Sequence, residues 1–135
     1  MSQEQFQNDP AILNEDNLWR RIMPSQIVQD HNSGLLRPSS AAFEDSPDGS
    51  PMSAIWEKLH RELGLTECDA LREHVGFALA CFTAGLAREL GQGIQPDPLP
   101  ETPAHVLVFG SKPKKSFSRK LAAAARWVES PSAEP

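Results

Sequence analysis

The sequence has no tyrosine, two cysteines, four histidines and no apolar run of membrane-spanning length. Each shortage removes a class of protein. The longest weakly polar stretch, Val75 to Ala87, is 13 residues, where a spanning helix needs roughly 20. Cys68 and Cys81 lie 13 positions apart with no C-x-x-C. His31, His60, His74 and His105 contain no H-x-x-x-H pair, so the local spacings that put two ligands on one metal are missing. No metal site and no cofactor are expected. There is neither a G-x-x-x-x-G-K-[ST] phosphate loop nor a G-x-G-x-x-G dinucleotide fingerprint, and no spacing identifies a reaction. Met1 to Pro10 is polar, without the basic and apolar regions of a secretory signal. A cytoplasmic protein with two free thiols is the expectation.

The chain has 135 residues, 12 of them proline, and a formal charge of −5. That length suits one domain, and an acidic total excludes a protein that coats polyanions with its whole surface. The total hides an asymmetry. Residues 1–67 carry five basic and eleven acidic side chains, whereas residues 111–128 carry six basic side chains and no acid.

Hydrophobic periodicity and turn residues organise the chain into a polar N-terminal tail (1–17), a single domain (18–129) and a short C-terminal tail (130–135). Phe6, Ile12 and Leu13 are the tail's docking candidates. Leu18 to Met23 and Gln26 to Val28 flank Pro24, which cannot donate to a ladder, so an edge strand or bent hairpin is predicted there. Met52, Ile55, Trp56, Leu59 and Leu63 fall on one helical face stopped by Gly64, predicting a helix over 52–63. Thr66 and Asp69 form a capping box for a second helix starting near Glu67 and ending near His74.

Residues 76–90 fit either one helix or a strand through Phe82 followed by a helix. Residues 95–103, with four prolines, read as extended loop, and 104–110 as a strand. Ser116 opens a helix whose face includes Phe117, Leu121 and Val128, ended by Pro131. The fold class is α+β: a short β-sheet packed by three to four helices with long Pro-rich loops. If 76–82 is a strand, residues 76–110 can form a βαβ unit with parallel strands.

Two constellations carry the functional reading. The first is the strand-to-helix junction with Lys112, Lys114, Lys115, Arg119 and Lys120, where cations surround a helix start that can hold an anion or an acidic partner. The second joins Arg20 and Arg21 to Arg37, Ser39 and Ser40, because guanidinium groups grip paired oxygens and small hydroxyls donate without crowding. Its ordinary alternative is a buried arginine near Asp45 or Asp48. His105 opens the strand after the proline loop and is the candidate base, with Arg37 and Ser39 completing a catalytic set.

Leu18-Trp19-Arg20-Arg21-Ile22, followed by the Gly/Arg/Ser segment 34–40, resembles the start of ADP-ribosyltransferase-type domains of the bacterial RES toxin kind. The resemblance implies an NAD-using activity. The chain departs from that pattern in lacking its aromatic, Gly-Arg and Asn segment, and no glutamate or second serine can be placed.

The leading expectation is therefore a small accessory domain acting through a protein-binding surface, with self-association open to it. A small NAD- or phosphodiester-acting enzyme with an Arg/Ser/His cleft is the second reading. A nucleic-acid-binding module using 112–120 is the third.

Overall fold

The computed structural model describes residues 6–112 and 116–131. Asn17–Ile22 forms β1, the strand on which the sheet is assembled. It pairs antiparallel with β5 (Ala78–Thr83) along its whole length, from Asn17↔Thr83 to Ile22↔Ala78. With β4 (Met52–Trp56) it pairs only at Leu18↔Trp56 and Trp19↔Ile55. Adding β6 (Gly93–Pro96), β7 (His105–Phe109) and β8 (Arg126–Glu129) gives a six-stranded sheet of order β6-β7-β4-β1-β5-β8. All its pairings are antiparallel. A separate ribbon joins β2 (Ile27–Gln29) to β3 (Leu36–Pro38). Among the described residues four α-helices complete a small α+β domain: α1 (Glu57–Glu62), α2 (Glu67–Ala70), α3 (Ala84–Glu89) and α4 (Ser116–Ala124). Among the described residues no helix is long and apolar enough to cross a membrane, and both cysteines are free.

Side chains alternate across β1, and both of its faces are covered. Leu18 and Ile22 enter the larger core with Ile12, Phe43, Met52, Phe82, Phe117 and Leu121. Trp19 enters the opposite one with Ile55, Leu79 and Cys81. Burying each large apolar side chain contributes about 1.5–3 kcal/mol, so a strand packed on both faces is a strong organiser. Pro24 lies beyond the strand, in a 3₁₀ turn over Pro24–Gln26. The expectation of an edge strand here is therefore corrected: β1 is central, and the proline begins only where pairing has ended.

The predicted helix over 52–63 is half strand. Met52, Ser53, Ala54 and Ile55 pair with Val108, Leu107, Val106 and His105 of β7, and Met52, Ala54 and Ile55 are all buried. Only from Glu57 does the chain turn helical, and Leu63 stays exposed. Residues 78–89 resolve as strand followed by helix, with the Thr83 hydroxyl accepting the Leu86 N–H at 3.1 Å as the α3 cap. The parallel βαβ unit over 76–110 does not form. After α3 the chain enters β6, which pairs with β7, and β1 and β4 separate β7 from β5. Three successive antiparallel pairings leave β5 and β7 running in opposite directions.

The Thr66 capping box forms as read, with the Thr66 N–H donating to Asp69 Oδ2 at 2.8 Å. The C-terminal helix ends at Ala124 instead of continuing through Val128. Arg126–Glu129 instead adds to the edge of β5 as β8.

Ahead of β1, the Asp9 N–H donates to Ile94 O at 2.8 Å and Ile12 is buried, whereas Leu13 is exposed. Phe6 stacks on Phe109 with ring centroids 5.5 Å apart. The Phe109 ring lies over Gly93, where an added Cβ would sit 2.4 Å from its Cζ. Gly93→Ala should therefore push the ring off its seat, break the Phe6 stack and cost about 1–3 kcal/mol, the usual range for overpacking. Urea denaturation measures this; an unchanged midpoint would mean that the ring is free to move.

Candidate functional site

The arginine, serine and histidine candidates fall into two separate places. Arg20, Arg21 and His105 line a cavity of about 170 Å³ in the middle of the sheet, together with Trp19, Ser53 and Gln26. Beyond Trp19 the β1–β4 ladder stops, and the guanidinium of Arg20 makes the connection instead. Its Nη1 donates to Ser53 O at 2.7 Å and Ser53 Oγ at 3.2 Å, and its Nε donates to Ala42 O at 2.8 Å. Burial, with the neighbouring Arg21 charge second, pushes the Arg20 guanidinium down to about 10, against the pull of Asp45. Arg20 is thus the buried arginine near Asp45, engaged with the fold. Ser53 was missed from sequence because it sat inside a pattern read as helix.

His105 Nδ1 lies 3.0 Å from Asp97 O and 3.1 Å from Asp97 Oδ2. A carbonyl only accepts, so Nδ1 is the donor. This contact fixes the start of the proline-rich loop to β7.

Arg37 and Ser39 are elsewhere, lining an open groove of about 830 Å³ between the β2–β3 ribbon and α4. His105 is not among its lining residues, so the proposed Arg37, Ser39 and His105 set does not converge. The groove gains a residue from the other constellation instead: Arg119 of α4 faces it, with Ser40 and His31.

The two walls are held by local chemistry. The Ser118 hydroxyl donates to Phe43 O at 2.7 Å, tying α4 to the turn Ser40–Phe43. Trp127 Nε1 donates to Leu36 O at 3.1 Å, tying β8 to β3. Among the described residues Arg119 and His31 have no hydrogen-bond or ionic partner, and the Ser39 hydroxyl makes no cap. Arg37 donates through Nε to Asp30 Oδ1 at 3.3 Å and through Nη1 to Pro38 O at 3.2 Å. Two guanidinium groups against one carboxylate leave the groove cationic.

Lys112 is engaged within the fold. Its Nζ is 2.7 Å from Asp45 Oδ1 and donates to Val108 O, while its side chain is only 9% exposed. Here the correction is physical: a lysine at the end of a buried strand is held as the counter-charge of Asp45. Lys114 and Lys115 lie outside the described residues. Arg119 and Lys120 are exposed on α4.

Removing the buried fork should be costly. Arg20→Met leaves Ser53 O and Ala42 O without their donor and is expected to lower stability by about 3 kcal/mol or more. Equilibrium denaturation of the variant checks it, and a loss below about 1 kcal/mol would place the connection elsewhere.

Asp30 titrates below its ordinary 3.8, held there chiefly by the Ser33 N–H, then by the Ser33 hydroxyl and Arg37. Its contribution is complete above 3.8 and fades as pH falls through the depressed value. Carboxyl-detected NMR titration should give a low midpoint that rises in both Ser33→Ala and Arg37→Gln; a midpoint at or above 3.8 contradicts the turn geometry. No protein-family model matches the chain, and neither a curated protein nor a solved structure does, so the role of these two places rests on their own chemistry.

Proposed function

We propose that this is a small cytoplasmic accessory domain that holds a protein partner through an oxyanion, a phosphate or carboxylate, seated in the groove between the β2–β3 ribbon and α4. One observation carries the reading. Arg119 lies far along the chain from Arg37, Ser39 and Ser40, yet lines the same groove with its guanidinium unengaged among the described residues. Charge-assisted hydrogen bonds from guanidinium to oxyanion are about twice as strong as neutral ones, and the two hydroxyls supply further donors. Leu35 and Leu36, 70% and 43% exposed on the same ribbon, favour a protein partner, since apolar side chains beside a polar anchor suit a protein interface. A second copy of the chain is one such partner.

The enzyme alternative has less support. Arg20, Arg21 and His105 do share a cavity, but at about 170 Å³ it is smaller than the roughly 300–1,000 Å³ of sites that hold cofactors. Without Arg37 and Ser39 the Arg/Ser/His cleft loses two members. The nucleic-acid alternative loses Lys112 to Asp45.

Titrating ¹⁵N-labelled protein with inorganic phosphate, and separately with acetate, tests the groove. Saturable shifts are expected at Ser39, Ser40 and Arg119, weakened about tenfold in Arg119→Gln, the value of one charged hydrogen bond. Shifts that are absent, scattered or unchanged in the variant would refute the oxyanion site. Sedimentation at rising concentration then separates self-association from binding to another protein.

A further inference from the structure

A third cavity, of about 370 Å³, lies beside Arg21 and the proline-rich loop, away from the groove. Its volume falls within the roughly 300–1,000 Å³ typical of small-molecule sites. Arg21 is half-buried in its wall. Its Nε donates to Ala70 O at 2.6 Å, while Nη2 reaches Thr102 Oγ1 only at 3.4 Å. The terminal guanidinium nitrogens thus retain donor capacity beside a buried hydroxyl. His60 is 2% exposed in the same wall and donates from Nε2 to Thr66 O at 2.8 Å. Its Nδ1 is buried without a partner among the described residues.

The carboxylates are arranged in the opposite sense. Arg72 and Asp69 form an ion pair with each other, leaving Glu73 and Glu101 as the other acids lining the cavity, both exposed, with the Glu73 charge acting on the neighbouring His74. Glu73 is the one non-glycine residue at positive φ among those described, at 66°. This is a backbone state that costs free energy and concentrates at functional sites. Beside it, His74 titrates below its ordinary 6.5 through burial and then the Arg21 charge, against the pull of Glu73, so near neutral pH its ring adds no second cation. The cavity therefore has one inner positive group and negative groups on its exposed part.

We propose that this cavity binds a free α-amino acid, with the carboxylate held by Arg21 and Thr102 and the ammonium group directed to Glu73 and Glu101. A simple anion would meet two carboxylates on its way in, and a simple cation would meet Arg21 at the inner end. A zwitterion of this orientation satisfies both. The site is independent of the oxyanion groove, so either can fail without the other.

Calorimetric titration of the full chain with each common amino acid tests the assignment, with the amide and N-acetyl derivatives of any binder as controls. Saturable binding of at least one free amino acid is expected, lost when either end is blocked. Arg119→Gln should bind it like the wild type, and Arg21→Gln should weaken it about tenfold or more. Should Arg21→Gln fail to fold, the exposed double variant Glu73→Gln/Glu101→Gln should still fold and bind more weakly. No saturable binding, equal binding of the N-acetyl derivative, or unchanged affinity in the double variant would each overturn the proposal.

Discussion

Arg20 holds the sheet together where its hydrogen-bond ladder gives out. β1 is paired with β5 over six residues but with β4 over two, so the centre of the sheet would open beyond Trp19 without another connection. A buried guanidinium is a costly way to make one, since desolvation works against the charge. The cost is offset by three directed hydrogen bonds to Ser53 and Ala42 and by the field of Asp45. An apolar side chain would fill the space and satisfy none of those acceptors. Because Ala42 belongs to the turn that α4 packs against, the same fork fixes one wall of the groove relative to the sheet.

Asp45 links this centre to the C-terminal part of the chain. It accepts the Met52 N–H at 3.0 Å and pairs with Lys112, whose ammonium group also sits over the Phe117 ring at 5.3 Å. One carboxylate thereby starts β4, balances Arg20 and anchors the approach to α4. The acidic N-terminal region and the basic C-terminal segment meet inside the molecule here, so part of the charge asymmetry in the sequence is internal neutralisation. Among the described residues the exposed cations of the segment are Arg119 and Lys120 on α4 and Arg126 on β8.

Elements with one dominant signal were legible in the sequence. β7 combines Val106, Val108 and Phe109 with a terminal glycine, and the Thr66–Asp69 cap depends only on residues three apart, so neither needs tertiary information. The stretch 52–63 misled because Met52, Ile55, Trp56 and Leu59 satisfy helical spacing, while the buried run Met52, Ala54, Ile55 suits a strand covered on both faces. Which period wins is decided by β7 and β1, far away in sequence. The same applies to 126–129: Val128 continues the α4 face on paper, but the open edge of β5 offers the segment a ladder. Of the candidate site, the individual groups Arg37, Ser39 and Arg119 were legible and their meeting was not. That meeting is produced by the Ser118 bond to Phe43 O and the Trp127 bond to Leu36 O, neither of which leaves a local sequence signature.

The position of the groove at this seam has a thermodynamic consequence. Its two walls belong to elements joined by a few hydrogen bonds instead of a continuous ladder, and each wall brings an arginine of the same sign. Arg37 is partly neutralised by Asp30, whereas Arg119 faces the seam without a counter-charge among the described residues. The two guanidinium groups that line the groove have the same sign, and the proposed oxyanion would meet both. A ligand that bound only with both arginines lining the groove would stabilise that arrangement by mass action. Occupancy by the proposed oxyanion and the packing of α4 against the Ser40–Phe43 turn would then be one coupled equilibrium.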